Sequence, residues 1–271
     1  MNKKTWMQGL VVVLGLSLTS CSQDSGWNNQ AESRQGYLSL SLNTNTDFVV
    51  KTRAVNEDQY KNVSNYDVVV LDQNGVEKLN CKGYEVASKM PLTMNIGSYT
   101  ITASYGKESA ASRNDFYVFG SVAGSIKAEQ KENVVVTCTP TCGKISVNFG
   151  ENMATYFSDY NVIFTGTEAL GDNTIEWLKG DTEPWYVKLN PTEETIKFTI
   201  TTTTRDEYVN GNNEQVATKN GTFKLSRNKA YKININPAYT PTTEGTVNIT
   251  VTIDESTNDK PVDIEVPVDW V

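Results

Sequence analysis

Histidine is absent from all 271 residues. That absence removes Ser-His-Asp and Cys-His nucleophile systems, His-ligated metals and haem, and the commonest general base at neutral pH. Basic charge is scarce as well, with 24 Lys and Arg against 32 Asp and Glu. So acidic a chain lacks the basic footprint that nucleic-acid phosphates demand, and no nucleic-acid partner is expected. Cysteine is limited to four residues. Long apolar runs are also missing, since residues 10–18 form a stretch too short to span a bilayer. Paired carboxylates stay open, but no residue pattern specifies a reaction, a metal or a cofactor.

What the amino terminus does contain is an address. Lys3 and Lys4 form a basic start, residues 10–18 are apolar, and the run ends at Leu18-Thr19-Ser20-Cys21. This resembles the bacterial lipobox, in which small residues precede a Cys whose thiol takes a diacylglycerol. The carry-over makes residues 1–20 a lipoprotein signal peptide and Cys21 the lipidated first residue of the mature chain. The mature balance is then 22 bases against 32 acids, a net charge of −10. Two or three acyl chains anchor stably where one does not, so the membrane is an expected partner through Cys21. Ser22-Gln23-Asp24 resembles the surface-export signal of Bacteroidetes lipoproteins. The expected location is therefore the outer membrane, lipid-anchored, at the cell surface. Residues 21–35 comprise this Cys and a polar tether reaching roughly 50 Å at full extension.

The remainder alternates apolar and polar residues in segments rich in Val, Ile, Thr and Tyr. Examples are residues 37–42, 67–71, 98–104, 133–139, 144–149, 195–204 and 247–253. Asp72-Gln73-Asn74-Gly75 is a hairpin-turn signal, and residues 57–62 and 152–157 read as single helical turns. An all-β protein of sandwich type follows. Gly36-Tyr37-Leu38-Ser39-Leu40 recurs in form as Gly143-Lys144-Ile145-Ser146-Val147, and residues 63–70 match residues 157–164. Residues 82–140 align with 179–237 at a constant offset of 97. The expectation is two tandem immunoglobulin-like sandwiches, residues 36–140 and 141–271, the second with extra carboxy-terminal strands. Pro261 and Pro267 suit the final hairpin to a sheet edge.

The lipobox, the Gly36 opening, Thr52-Arg53-Ala54, residues 97–106, residues 116–121, residues 134–138 and residues 156–160 together resemble a Bacteroidetes lipoprotein family defined by a domain of unknown function. That family is similar, at a distance, to the fimbrillin-like surface proteins, and the likeness implies adhesion, assembly or binding. In fimbrillin-like proteins an Arg after the first strand is where a trypsin-like protease cuts. Arg53 matches that position as a candidate processing site, and the favoured reading is a solvated linker residue in a protein that keeps its anchor.

Candidate chemistry is sparse. Cys81, Cys138 and Cys142 read as small core hydrophobes or as partners in one disulfide, with Cys142 the most exposed. The offset pairs Cys81 with Leu178 and Cys138 with Ile235. Trp177, Trp185 and Tyr186 lie close together among acids. Flat rings beside carboxylates suit a sugar, although packing at the domain interface is the favoured explanation. Repeat one has Ser88 and Lys89 at the places of Trp185 and Tyr186. Glu176, Asp181 and Glu183 are the residues a hydrolase would use. The favoured reading is a non-enzymatic surface protein acting in adhesion or assembly. The alternative is a glycan-binding lipoprotein of a polysaccharide-uptake system.

Overall fold

Side chains on a strand alternate between two faces, so an alternating sequence buries one set and leaves the other in water. The computed structural model describes residues 34–46, 48, 55–208, 214–239, 247–256 and 263–265. Cys21 and Arg53 lie outside them. The first half contains β1 (Gln35–Thr44), β2 (Asp67–Asp72), β3 (Glu77–Lys82), β4 (Leu92–Asn95), β5 (Gly97–Gly106), β6 (Ala111–Ser112), β7 (Tyr117–Ile126) and β8 (Lys131–Pro140). The second contains β9 (Cys142–Phe149), β10 (Phe157–Thr165), β11 (Ile175–Leu178), β12 (Trp185–Lys188), β13 (Glu194–Thr204), β14 (Gln215–Leu225) and β15 (Ala230–Tyr239). β16 (Val247–Ser256) and β17 (Asp263–Glu265) follow. Among the described residues the chain is all-β, with only short turns of helix such as Glu57–Lys61 and Met153–Tyr156 between strands.

Three sheets result, ordered β3-β2-β5-β7-β8-β1-β4, β11-β10-β13-β14 and β17-β16-β15-β9-β12-β6. The two halves share one wiring. Each half's opening strand runs parallel to its closing strand, β1 with β8 and β9 with β15, and antiparallel to a short strand, β4 or β12. Each also forms a meander, β3-β2-β5-β7 or β11-β10-β13-β14. β16 pairs with β15 along its whole length, and β17 takes the edge. The β2–β3 turn closes as its sequence predicts. Gly75 takes φ +76°, and the Asp72 carboxylate accepts from the Asn74 and Val76 amides at 2.9 Å each.

Register corrects the constant offset. Tyr99 lies opposite Gly124, whereas its equivalent Ile196 lies opposite Phe223, so the second half has two extra residues between β13 and β14. A slip of two leaves every side chain on its original face, so the apolar phase survives while the pairings move. Val134 then corresponds to Ile233 and Cys138 to Pro237, since Leu40 pairs with Val134 and Val147 with Ile233. Val68 faces Cys81 and Val162 faces Trp177, which makes Trp177, not Leu178, the counterpart of Cys81. Leu178 is in fact 58% exposed.

The same slip equates Gly120, opposite Ala103, with Lys219, opposite Ile200. A Cβ on Gly120 would stand 2.5 Å from the Thr137 carbonyl oxygen and 2.9 Å from the Cys138 sulfur. Glycine here lets β7 lie against β8, and the two strands pair at Val118–Pro140 and Phe119–Thr139. Lys219 instead sends its Nζ inward to the Ile249 carbonyl oxygen on β16, 2.9 Å away. Among the described residues β14 pairs with β13 alone.

Two buried clusters fill the layers. One gathers Leu38, Val68, Ile101, Val118 and Val136, and the other Ile145, Phe164, Trp177, Phe198 and Ile233. The first also takes in Cys142, Tyr186 and Ala230 from the second half.

Candidate interaction site

The sequence-predicted aromatics converge on the seam between the two clusters. β6 carries the chain across, pairing with β12 through Ser112–Tyr186 and Ala111–Val187. Arg113 follows immediately. Its guanidinium grips Asp181 in two bonds, Nη1 to Oδ1 at 2.7 Å and Nη2 to Oδ2 at 2.5 Å. It also donates to the Glu176 and Glu183 carbonyl oxygens at 2.8 and 3.2 Å. The same group lies 4.8 Å from the Trp185 ring centroid and 5.5 Å from that of Trp177. A planar cation between two indoles, with a carboxylate in its fork, is fixed by stacking and by paired hydrogen bonds together.

Trp177 is fully buried, its indole N–H donating to the Glu183 carbonyl oxygen at 2.9 Å. Tyr186 is 2% exposed. Neither offers a ring face to a sugar, and the half-buried Trp185 stacks on Arg113. Of the two readings of this aromatic group, burial corrects the glycan platform for Trp177 and Tyr186 and agrees with the favoured one, packing at the seam. Register explains why the comparison with Ser88 and Lys89 misled. Leu38 pairs with Leu92 where Ile145 pairs with Trp185, so Leu92 and Thr93 are the true counterparts of Trp185 and Tyr186. Two acids of this stretch are engaged, Asp181 by Arg113 and Glu176 by the Asn161 amide at 2.6 Å, while Glu183 Oε2 is buried without a hydrogen-bond partner.

A second set of seam residues had no sequence signal. Lys144 sits on the face of β9 opposite Ile145 and is 1% exposed, while Glu57 from the short helix after Val55 is 8% exposed. Lys144 Nζ donates to Glu57 Oε1 at 2.5 Å, and the Tyr186 hydroxyl donates to the same oxygen at 2.5 Å. Phe116 stacks on Tyr186 at 4.8 Å and on Tyr60 at 3.8 Å, and Phe48 meets Phe116 edge-on. Burial lowers the Lys144 ammonium pKa, opposed by its bond to Glu57. Lys144 occupies a polar phase of its strand, which from sequence means solvent. The first half covers that face.

The described thiols, Cys81, Cys138 and Cys142, are outside any disulfide and buried. Cys142, expected to be the exposed one, is 4% exposed, and burial pushes its pKa far up. Burial also pushes the Cys138 thiol up to about 11.

The surface best placed to meet a partner is the open edge of β14 and the face beside it. Thr199, Thr201 and Thr203 on β13 lie opposite Asn220, Thr218 and Val216 on β14. The Thr199 hydroxyl donates to the Asn220 side-chain oxygen at 2.8 Å, and Val216 is 69% exposed. Thr202 and Thr204 point inward and are buried, so the alternation expected of residues 195–204 extends to the end of β13. A strand of eleven residues that is paired on one side alone among the described residues presents a row of backbone donors and acceptors suited to an extended chain.

Comparison with known proteins places residues 34–268 within the family described as Domain of unknown function (DUF4493). No curated protein matches. Solved structures that it resembles include a fimbrial assembly protein from Parabacteroides distasonis, at 11% identity and TM-score 0.41, covering 87% of this chain and 97% of that one. Another is the fimbrial anchor protein Mfa2 from Porphyromonas gingivalis, at 9% identity and TM-score 0.38, covering 86% and 100%.

Proposed function

The chain belongs to the family defined by the domain of unknown function DUF4493, and from that premise we propose a non-enzymatic protein, lipid-anchored through Cys21 in the outer membrane and acting at the cell surface in adhesion or assembly. In this reading residues 1–20 are removed, residues 21–35 form the tether, and the two sandwiches at 36–140 and 141–271 are carried away from the lipid. The observation that carries it is the open edge of β14. In the first half the equivalent strand is closed by β8, where Gly120 allows contact, whereas Lys219 leaves β14 paired on one side among the described residues. Long open edges are ordinarily blunted or covered, and an edge left open is a pairing surface for another polypeptide.

Lysines on an edge strand oppose such pairing. Asn220 and Thr222 are both exposed, so Asn220→Lys with Thr222→Lys should preserve the fold and lower attachment of the producing cells to a protein-coated surface. Undiminished attachment with equal surface display contradicts the proposal.

A further inference from the structure

We propose that Glu57 and Lys144 are the site of an internal isopeptide bond, a side-chain amide that forms within the folded chain and fastens its two halves. The two groups already touch, Nζ to Oε1 at 2.5 Å, across 87 residues of sequence. Other lysine–carboxylate pairs among the described residues are wet: Lys82 and Asp67 are 47% and 56% exposed, and Lys188 and Glu108 are 39% and 50% exposed. Lys144 and Glu57 are 1% and 8% exposed. Around them stand Phe48 and Tyr186, whose ring centroids lie 6.0 and 5.8 Å from Nζ.

Two properties of this site favour condensation. In water both groups are held ionised and therefore inert toward one another. A desolvated pair is drawn toward its neutral form by transfer of one proton along the hydrogen bond. The lowered pKa of Lys144 runs in that direction. Fixed contact also replaces a bimolecular encounter with an intramolecular one. The Tyr186 hydroxyl donates to Glu57 Oε1, the oxygen that takes the Nζ proton, and so assists its departure from Cδ as water.

The step balances without any co-reactant. A proton passes from Nζ to the Glu57 carboxylate, giving an amine and a carboxylic acid. The Nζ lone pair attacks Cδ, the bond from Cδ to the protonated oxygen breaks, and that hydroxyl leaves with a second Nζ proton as water. Nothing is oxidised or reduced, and the chain loses one water, about 18 Da, as covalent catalysis by a side-chain amine allows. The product is a covalent tie at the seam, in a chain that a tether would load mechanically.

Peptide mapping of the unfolded full chain tests this. Trypsin cuts after Arg53, Lys61, Lys131 and Lys179, so a bonded chain yields residues 54–61 attached to residues 132–179 through an uncut Lys144, lighter by one water than the two peptides together. We expect this branched peptide as the main species and its loss in Glu57→Ala. Should Glu57→Ala not accumulate, Lys144→Arg should lose it as well. Recovery of free 54–61 with cutting after Lys144 in the bulk of the wild-type chain overturns the proposal. A branched peptide that persists in Glu57→Ala or Lys144→Arg overturns the assignment to this pair.

Discussion

Gly120 and Lys219 hold the same place in the two halves, and they have opposite consequences for the strand edges they lie on. The first admits backbone contact between β7 and β8, with a Cβ position 2.5 Å from the Thr137 oxygen. The second reaches through the interior to the Ile249 carbonyl. Gly120→Ala would force β7 from β8, because what the new methyl meets is backbone that cannot swing aside. A cost of about 1–3 kcal/mol follows from overpacking of this kind, read as a lowered Tm in thermal unfolding. An unchanged Tm would mean that the close approach does not hold the sheet.

Arg113 gives a second prediction. Removing it by Arg113→Ala uncovers Trp185 and strips donors from Asp181 and two carbonyls, which should cost about 2–4 kcal/mol. Arg113→Lys should recover little, since an ammonium neither forks onto a carboxylate nor stacks as a plane. Urea unfolding with tryptophan emission measures both, and a red shift in the native state is expected on loss of the cover. A fully stable Arg113→Lys variant would contradict the stacking account.

Much of this architecture was legible in the sequence because the strand code has period two. Alternation located the opening strands, the Asp72-Gln73-Asn74-Gly75 turn and the buried phase of β13. It also hid an error. The two-residue insertion before β14 leaves the phase intact, so aligned apolar positions gave no warning that Cys138 belongs with Pro237. The seam was invisible for a different reason. Lys144 and Glu57 are polar residues on locally solvent-facing phases, and only contact between distant segments buries them. Trp177 and Tyr186 suit either a sugar platform or interface packing from sequence, and the same contact draws them inward. A two-residue strand, β6, carries Arg113 to them and has no periodicity to read.

The thiols yield a pH prediction. Cys138 has a folded pKa of about 11, above that of an exposed thiol. A raised acid pKa contributes stability that is fully present below the unfolded value and is lost as pH climbs through the folded one. Stability should therefore fall between about pH 9 and 11, and less so in Cys138→Ala once compared with its own neutral-pH value. Native labelling at pH 8 should be slow at Cys81, Cys138 and Cys142 alike, as all three are buried. Fast modification of any one would place it at the surface.

Lipidation is expected at Cys21. Globomycin should block processing of the wild-type chain, and Cys21→Ala should leave the membrane fraction. Retention of that variant with the membrane would assign the anchor elsewhere. Arg53 is expected to behave as a linker residue, giving under limited trypsinolysis either no cut or a cut chain that stays monomeric. Higher oligomers after cleavage would favour processing for assembly.

The most direct test of a surface protein that works through the β14 edge is competition. Secreted Cys21→Ala chain, added in excess to wild-type cells, occupies whatever the anchored copies bind. This soluble chain should inhibit attachment in a dose-dependent way, and the same chain carrying Asn220→Lys and Thr222→Lys should not. Equal inhibition by both, or inhibition by neither, would contradict that role of the β14 edge.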